Sequence, residues 1–324
     1  MSVLEVQDLA VRYPGQGGEE VRAVNGVSFS VETGQTLAIV GESGCGKSSL
    51  VNAVAGLVAT AGGTVVYGGQ DLLSAKGSEA RRRRRGIQMV FQDPLDALDP
   101  RMSVGKSVEE PLRLAGIGKA ERGARGREMF DQVDLPAVLY GRYPHELSGG
   151  QQQRVVIARA MAPKPTLVVL DGPTASLDFL VREAIVELLG TIQRQTDCAF
   201  VFISHDIGTV RQIADQVGVM YLGRMVELGE AGTVLRSPKH PYTQALFDAA
   251  PIPDPALRDR RPYIAPDPGD LEGTLEGCPY RARCHFADAV CETRPALVHQ
   301  DGRDVACHHV GASQALKPTM EAHA

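Results

Sequence analysis

The 324-residue chain has no apolar run long enough to cross a bilayer. Its N-terminus shows none of the charged-then-apolar pattern of a secretory leader. These two absences predict a cytoplasmic protein, so that any channel it serves must be built by other chains. It also has no basic surplus: 34 Lys and Arg against 39 Asp and Glu give a formal net charge of −5. Charge therefore supplies no nucleic-acid role. The run Arg81 to Arg85 reads as a solvated helix end ahead of the apolar strand Ile87–Phe91. Cysteine is scarce, with six in all and no close CxxC pair. One further absence is a single side chain. The run Leu167-Val-Val-Leu170-Asp171 is followed by Gly172, with no carboxylate.

What is present centres on phosphate chemistry. Thr36-Leu-Ala-Ile-Val40 has the apolar character of a buried parallel strand. It leads into Gly41-Glu-Ser43-Gly44-Cys45-Gly46-Lys47-Ser48-Ser49, which fits GxxxxGK[ST]. Glycines let successive backbone N–H groups turn toward phosphate oxygens. Lys47 is expected on the β- and γ-phosphates, and the Ser48 hydroxyl on Mg²⁺. The helix beginning near Ser48 adds its positive N-terminal end. Cys45 reads as incidental to the loop. Leu167 to Leu170 is a second apolar strand, which would deliver Asp171 toward the same Mg²⁺. Nucleotide hydrolases of this kind keep a glutamate after that aspartate to handle the attacking water, and Gly172 stands in its place.

Leu147-Ser148-Gly149-Gly150-Gln151-Gln152-Gln153-Arg154 resembles the signature motif of the ATP-binding cassette (ABC) ATPases. Further motifs of that family follow in order. Tyr13 resembles the aromatic that stacks on adenine, and Gln92 the glutamine of the Q-loop, which joins Ser48 and Asp171 at Mg²⁺. Asp178, in Ser176-Leu177-Asp178, resembles the D-loop, and His205 the switch histidine. The match covers about residues 1–235. It implies an α/β fold, the ABC ATPase nucleotide-binding domain, with a RecA-like core, an antiparallel β subdomain and a helical subdomain. Residues 1–92 and 155–235 would form the ATP-binding core lobe, and 93–154 the helical signature lobe. The resemblance also implies head-to-tail dimers, in which Ser148, Gly149, Gly150 and Gln151 cap the partner's ATP.

Residues 236–324 read as a C-terminal extension. They open with the stretch Ser237-Pro-Lys-His-Pro241-Tyr242-Thr-Gln-Ala-Leu246, continue through a Pro-rich linker from Pro251 to Pro268, and hold Cys278, Cys284, Cys291 and Cys307. A cytosolic protein should not keep structural disulfides, and a segment so poor in apolar residues cannot build its own core. Four clustered cysteines therefore suggest a metal staple, with a 4Fe–4S cluster, zinc or no metal all open. His285, His308 and His309 keep a mixed zinc set in view. Both the HPYT stretch and the Cys-rich tail resemble the oligopeptide/dipeptide importer branch of the family, where the tail is associated with a 4Fe–4S cluster. That branch implies a second ATPase subunit, two transmembrane permease subunits, an extracytoplasmic binding protein reached through the permease, and a peripheral place on the cytoplasmic membrane face.

Other readings remain at this point. Soluble ABC proteins acting on DNA or ribosomes carry coiled-coil insertions or two cassettes, and this sequence shows neither. A regulatory subunit that binds ATP without hydrolysing it stays open because of Gly172, whether that glycine is natural or engineered. Cargo, and the choice between homo- and heterodimer, are not legible in the chain.

Overall fold

A computed structural model describes residues 2–15, 18–249 and 277–310. The Pro-rich linker lies outside them. The chain starts with two long antiparallel strands, β1 (Ser2–Pro14) and β2 (Glu20–Glu32). In β1 the buried residues change phase, from Leu4 and Val6 to Leu9 and Val11. The register shifts between Val6 and Leu9, and Asp8 has a φ of 47°. An extra residue in one strand resets which face its side chains meet. The bulge therefore lets all four aliphatics reach one core.

The strand β3 (Thr36–Val40) is buried along its whole length, and the helix α1 (Lys47–Ala55) follows it. The strands β4 (Gly62–Tyr67) and β5 (Gln70–Asp71) join β1 and β2 in a four-stranded sheet of order β2-β1-β4-β5. The arginine run ends the helix α2 (Gly77–Arg83), ahead of β6 (Ile87–Val90). Arg81 and Arg82 face solvent, while Arg83 donates to Glu79 and the Asp71 carbonyl.

Between Val90 and Leu167 the described residues hold helices and no strand: α3 (Pro94–Ala97), α4 (Val104–Leu114), α5 (Lys119–Gln132) and α6 (Gly149–Met161). Their apolar faces pack together, with Val108, Leu112, Phe130 and Val156 buried in one cluster. The chain then returns to the sheet with β7 (Leu167–Asp171), α7 (Phe179–Thr196), β8 (Ala199–Ile203), α8 (Ile207–Ile213), β9 (Gln216–Tyr221) and β10 (Arg224–Glu230). β9 and β10 form a hairpin turning at Leu222 and Gly223, both with positive φ. Paired positive φ values are what the right-handed twist of a two-residue hairpin asks for. The helices α9 (Ala231–Arg236) and α10 (Pro241–Asp248) come next, and the strands β11 (Val298–Gln300) and β12 (Arg303–Val305) complete the order. The large sheet reads β11-β12-β10-β9-β3-β8-β7-β6, with β9, β3, β8, β7 and β6 parallel to one another.

The last two strands extend the sheet edge, and a buried ion pair holds them there. Glu227 of β10 is fully buried, and Arg303 of β12 nearly so. Arg303 donates to the Glu227 carboxylate (3.2 Å) and to the Ser237 carbonyl (2.6 Å). Glu227 also accepts the backbone N–H groups of Lys239 and His240, each at 2.9 Å. His240 is itself buried, its Nδ1 accepts the Tyr242 N–H (3.0 Å), and burial pushes its pKa down to about 3, so its ring stays neutral. One carboxylate thus joins the sheet, the HPYT stretch and the tail.

Glu227→Gln leaves the Arg303 guanidinium buried without its counter-charge. Removing one partner of such a pair costs about 3–5 kcal/mol. Denaturant unfolding should show that loss as a lower midpoint. A shift corresponding to less than about 1 kcal/mol, the range of an exposed pair, would mean that water reaches this joint.

Candidate nucleotide site and cysteine cluster

The parallel strands β3, β7 and β8 end at one edge, and the residues after each of them face a common cleft. β3 passes into the loop Gly41–Gly46, and α1 begins at Lys47 with Gly46 as its N-cap at φ 102°. A Cβ on Gly46 would run into the Ala23 carbonyl oxygen, so the close approach of β2 requires glycine here. Lys47 Nζ donates to the carbonyls of Gly41 (2.8 Å) and Glu42 (2.7 Å), which turns the amine into the loop. The Ser48 hydroxyl donates to Asp171 at 3.2 Å, so two oxygens from different elements meet. Burial raises the Asp171 pKa, while the Ser48 bond and the Lys47 charge oppose that rise.

The cleft is about 770 Å³ and is lined by Ser43, Gly44, Gly46, Lys47, Ser48, Ser49, Gln92, Asp171, Gly172 and His205, among others. His205 is exposed, and the loop behind it is fixed by Asp206, which caps α8 and accepts from Arg182 at 2.6 Å. Gly41 and Cys45 lie below the cleft surface. Cys45 is buried in the core beside Leu50 and Met220, and burial raises its thiol pKa. Tyr13 does not line the cleft; its cross-strand partner Val21 does.

Gly172 has a φ of 59°, in the left-handed region. Its N–H donates to the Ile203 carbonyl (3.1 Å), and its carbonyl accepts from Ala175 (3.1 Å). A Cβ there would touch Gln92 Cγ at 3.4 Å, an ordinary contact. Space for a side chain therefore exists, and the backbone is what favours glycine.

The signature residues sit elsewhere. Ser148 is the N-cap of α6 and accepts from the Gln151 N–H, while the Gln151 side chain accepts from the Ser148 N–H. That reciprocal pair fixes the first turn of the helix. Gly149 and Gly150 form that turn, and a Cβ on Gly150 would meet Val181 Cγ1 at 2.6 Å. Asp178 caps α7 through the Val181 N–H (3.0 Å). None of these five residues lines the cleft that holds Lys47.

The family described as "ABC transporter" matches residues 24–175, and one described as "Oligopeptide/dipeptide transporter, C-terminal region" matches residues 226–291. The chain is 42% identical over 320 residues to the Di/tripeptide transport ATP-binding protein DppF of Pseudomonas aeruginosa, covering 95% of this chain and 98% of that protein. It is 42% identical to the Oligopeptide transport ATP-binding protein OppF of Salmonella typhimurium, covering 94% and 95%. This chain belongs to the ABC transporter ATPases, in the oligopeptide/dipeptide branch. Among solved structures it resembles the dimeric, ADP- and Pi-bound cassette MJ0796, with 28% identity and a TM-score of 0.65 over 70% of this chain and 98% of that one. ABC transporter ATPases couple ATP hydrolysis to transport, and their cofactors are ATP and Mg²⁺. The cleft residues fit both, since an amine, a hydroxyl and a carboxylate converge at the N-terminus of α1.

Beside the cleft of this ABC ATPase lies the cysteine-bearing segment, and Pro279 lines the cleft directly. Cys278 and Cys291 are buried, and Cys284 and Cys307 partly so. Burial raises the thiol pKa of Cys278, Cys284 and Cys307, the last to about 11, and the neighbouring cysteine sulfurs add to each rise. Among the described residues, the donors that come within 4.8 Å of one another are Asp288, Cys291 and His309. No three of the four cysteine sulfurs form such a group among the described residues.

Sequence reasoning missed several cleft residues. Arg22 and Asn25 of β2, Leu222 and Gly223 of the hairpin, and Pro279 all contribute to its walls. None belongs to a contiguous motif, and only the positive-φ turn at Gly223 leaves a local signal.

Proposed function

We propose that this chain is the ATP-binding subunit of a peptide importer, dimerising head to tail with a second ATPase subunit. The observation that carries this reading is the separation of two half-sites. Lys47, Ser48, Gln92, Asp171 and His205 share one cleft, while Ser148 and its glycines open a helix that does not reach it. A second copy or a related subunit would bring its own signature to this cleft. The relatives' names and the C-terminal family match support peptides as cargo. The described residues contain no helix long and apolar enough to cross a membrane. Two permease subunits and an extracytoplasmic binding protein would therefore complete the importer, with this chain peripheral on the cytoplasmic face.

Bound ATP would supply the phosphoanhydride, and Mg²⁺ the charge that polarises it. Of this chain's residues, Lys47 and the loop amides would hold phosphate, and Ser48, Asp171 and Gln92 would hold the metal. Tyr13, beside Val21 at the cleft rim, would stack on adenine. His205 would position the terminal phosphate, and Asp178 would face the partner across the dimer. Lys47→Ala should abolish ATP·Mg²⁺ binding measured by calorimetry. Equal affinities for the two proteins would remove the cleft's assignment.

Gly172 leaves the water without a proton acceptor. Asp171 would be committed to the metal, and Gln92 has no basic group. Losing a general base typically costs about 10²–10⁴-fold in rate. This subunit would thus bind ATP tightly, hydrolyse it weakly at its own cleft, and complete a partner's site through Ser148. In the reconstituted importer, with the partner's own cleft inactivated, Gly172→Glu should raise ATP turnover at the cleft built from this chain's Lys47 and the partner's signature by roughly 10²-fold, with ATP affinity nearly unchanged, because the restored group acts in the transition state. A left-handed φ on an L-residue costs about 1–2 kcal/mol, so the same variant should unfold at lower denaturant. Unchanged turnover in a folded, ATP-binding variant would mean that the cleft is silent for another reason.

Cys278, Cys284, Cys291 and Cys307 would hold a 4Fe–4S cluster as a structural staple of the tail. Four clustered thiolates suit the cluster, while His309 and Asp288 beside Cys291 would suit zinc. Anaerobically purified protein should carry about four irons per chain, and Cys284→Ser should lower that content. Stoichiometric zinc without iron would overturn the cluster.

A further inference from the structure

Glu42 is the second residue of the phosphate loop, and each of its polar groups has a partner. Its N–H donates to Tyr242 Oη of the HPYT stretch at 2.9 Å. Its carbonyl accepts from Lys47 Nζ at 2.7 Å. Its carboxylate accepts two parallel bonds from the Arg283 guanidinium, both at 2.9 Å. Arg283 lies 241 positions further along the chain, immediately before Cys284. Its side chain is 6% exposed, against 40% for Glu42. The guanidinium carbon sits 5.8 Å and 5.7 Å from the ring centroids of Tyr221 and Tyr280, and Tyr280 packs on Tyr242 at 5.5 Å. A planar fork pinned between rings holds one bidentate geometry that lysine would not reproduce.

Two consequences follow for the loop. The carbonyl that seats Lys47 belongs to the residue that Arg283 clamps. Moreover, an unpaired Glu42 would place a carboxylate on the loop that must accept a polyanion, and such repulsion is strong where solvent is partly excluded. We propose that Arg283 is a positioning residue of the phosphate loop: through Glu42 it fixes the loop and cancels its negative charge, so that docking of segment 277–310 sets the affinity for ATP. The proposal rests on the reading of the cleft as an ATP site. Coupling of this kind is reciprocal, so ATP must also tighten the docking of the tail.

The test measures ATP·Mg²⁺ affinity of the full chain as wild type, Arg283→Gln, Glu42→Gln and the double variant, with hydrogen exchange of residues 277–310 followed with and without ATP. Arg283→Gln should weaken ATP binding about tenfold, and less at high salt, where charge is screened. Adding Glu42→Gln should restore the affinity to within about twofold of the Glu42→Gln protein, because the repelling charge is then gone. ATP should slow exchange across 277–310 in the wild type and not in Arg283→Gln. Should Arg283→Gln fail to fold, Glu42→Gln with Arg283 intact must still lose that ATP-dependent protection. Unchanged affinity in Arg283→Gln, additive losses in the double variant, or protection that persists without the pair would each overturn the proposal. A wild-type chain that binds no ATP would instead overturn the cleft reading beneath it.

Discussion

The site depends on dry parallel strands that stop at the same edge. β3 and β8 are buried from end to end, and β7 up to its terminal Asp171. Each large aliphatic side chain so buried is worth about 1.5–3 kcal/mol, and a one-residue slip would break the ladders on both sides. Register is therefore not free to drift. With β3 paired to β8 and β8 to β7, the positions of Gly41, Gly172 and Ser204 follow from the ladder. The chemistry of the cleft is the solvent-facing end of this hydrophobic constraint.

How far the protein is legible in its sequence follows from how local each constraint is. The phosphate loop, the strand before it and the signature are contiguous, and their backbone needs are written in neighbouring residues. The apolar runs made β3 and β7 readable because strands buried on both faces need no alternation. The bulge at Asp8 was not readable, since it follows from the pairing of β1 with β2 and β4. Nor were β11 and β12, three residues each, whose place at the sheet edge rests on Arg303 reaching Glu227 across 76 positions. Cys45 shows the same limit. Its loop position gave no sign that its side chain packs into the core under Gly41.

Gly172 illustrates how a motif read as a string stays incomplete as a backbone. The string shows a missing carboxylate. The structure adds a φ of 59° and an N–H held by Ile203. Glycine there removes a side chain and also opens a backbone conformation that glutamate enters only with strain. The effect proposed for the side chain is on rate and that of the backbone on stability, so a single substitution reports on both without confusing them.

The tail shows why a segment without a core of its own need not be independent of the enzyme. Cys278, Tyr280 and Cys291 are buried in the same cluster as Tyr221, Val219 and Tyr242. Two buried arginines do the joining, Arg303 to the sheet and Arg283 to the phosphate loop. A guanidinium is costly to bury without its counter-charge, so each pins the tail to one position rather than adding general adhesion. The Arg303 pair lies inside the fold, where it decides whether the tail docks. The Arg283 pair lies half open at the loop, where the charge of an incoming nucleotide can act on it. That difference in depth assigns stability to one joint and communication with the cleft to the other.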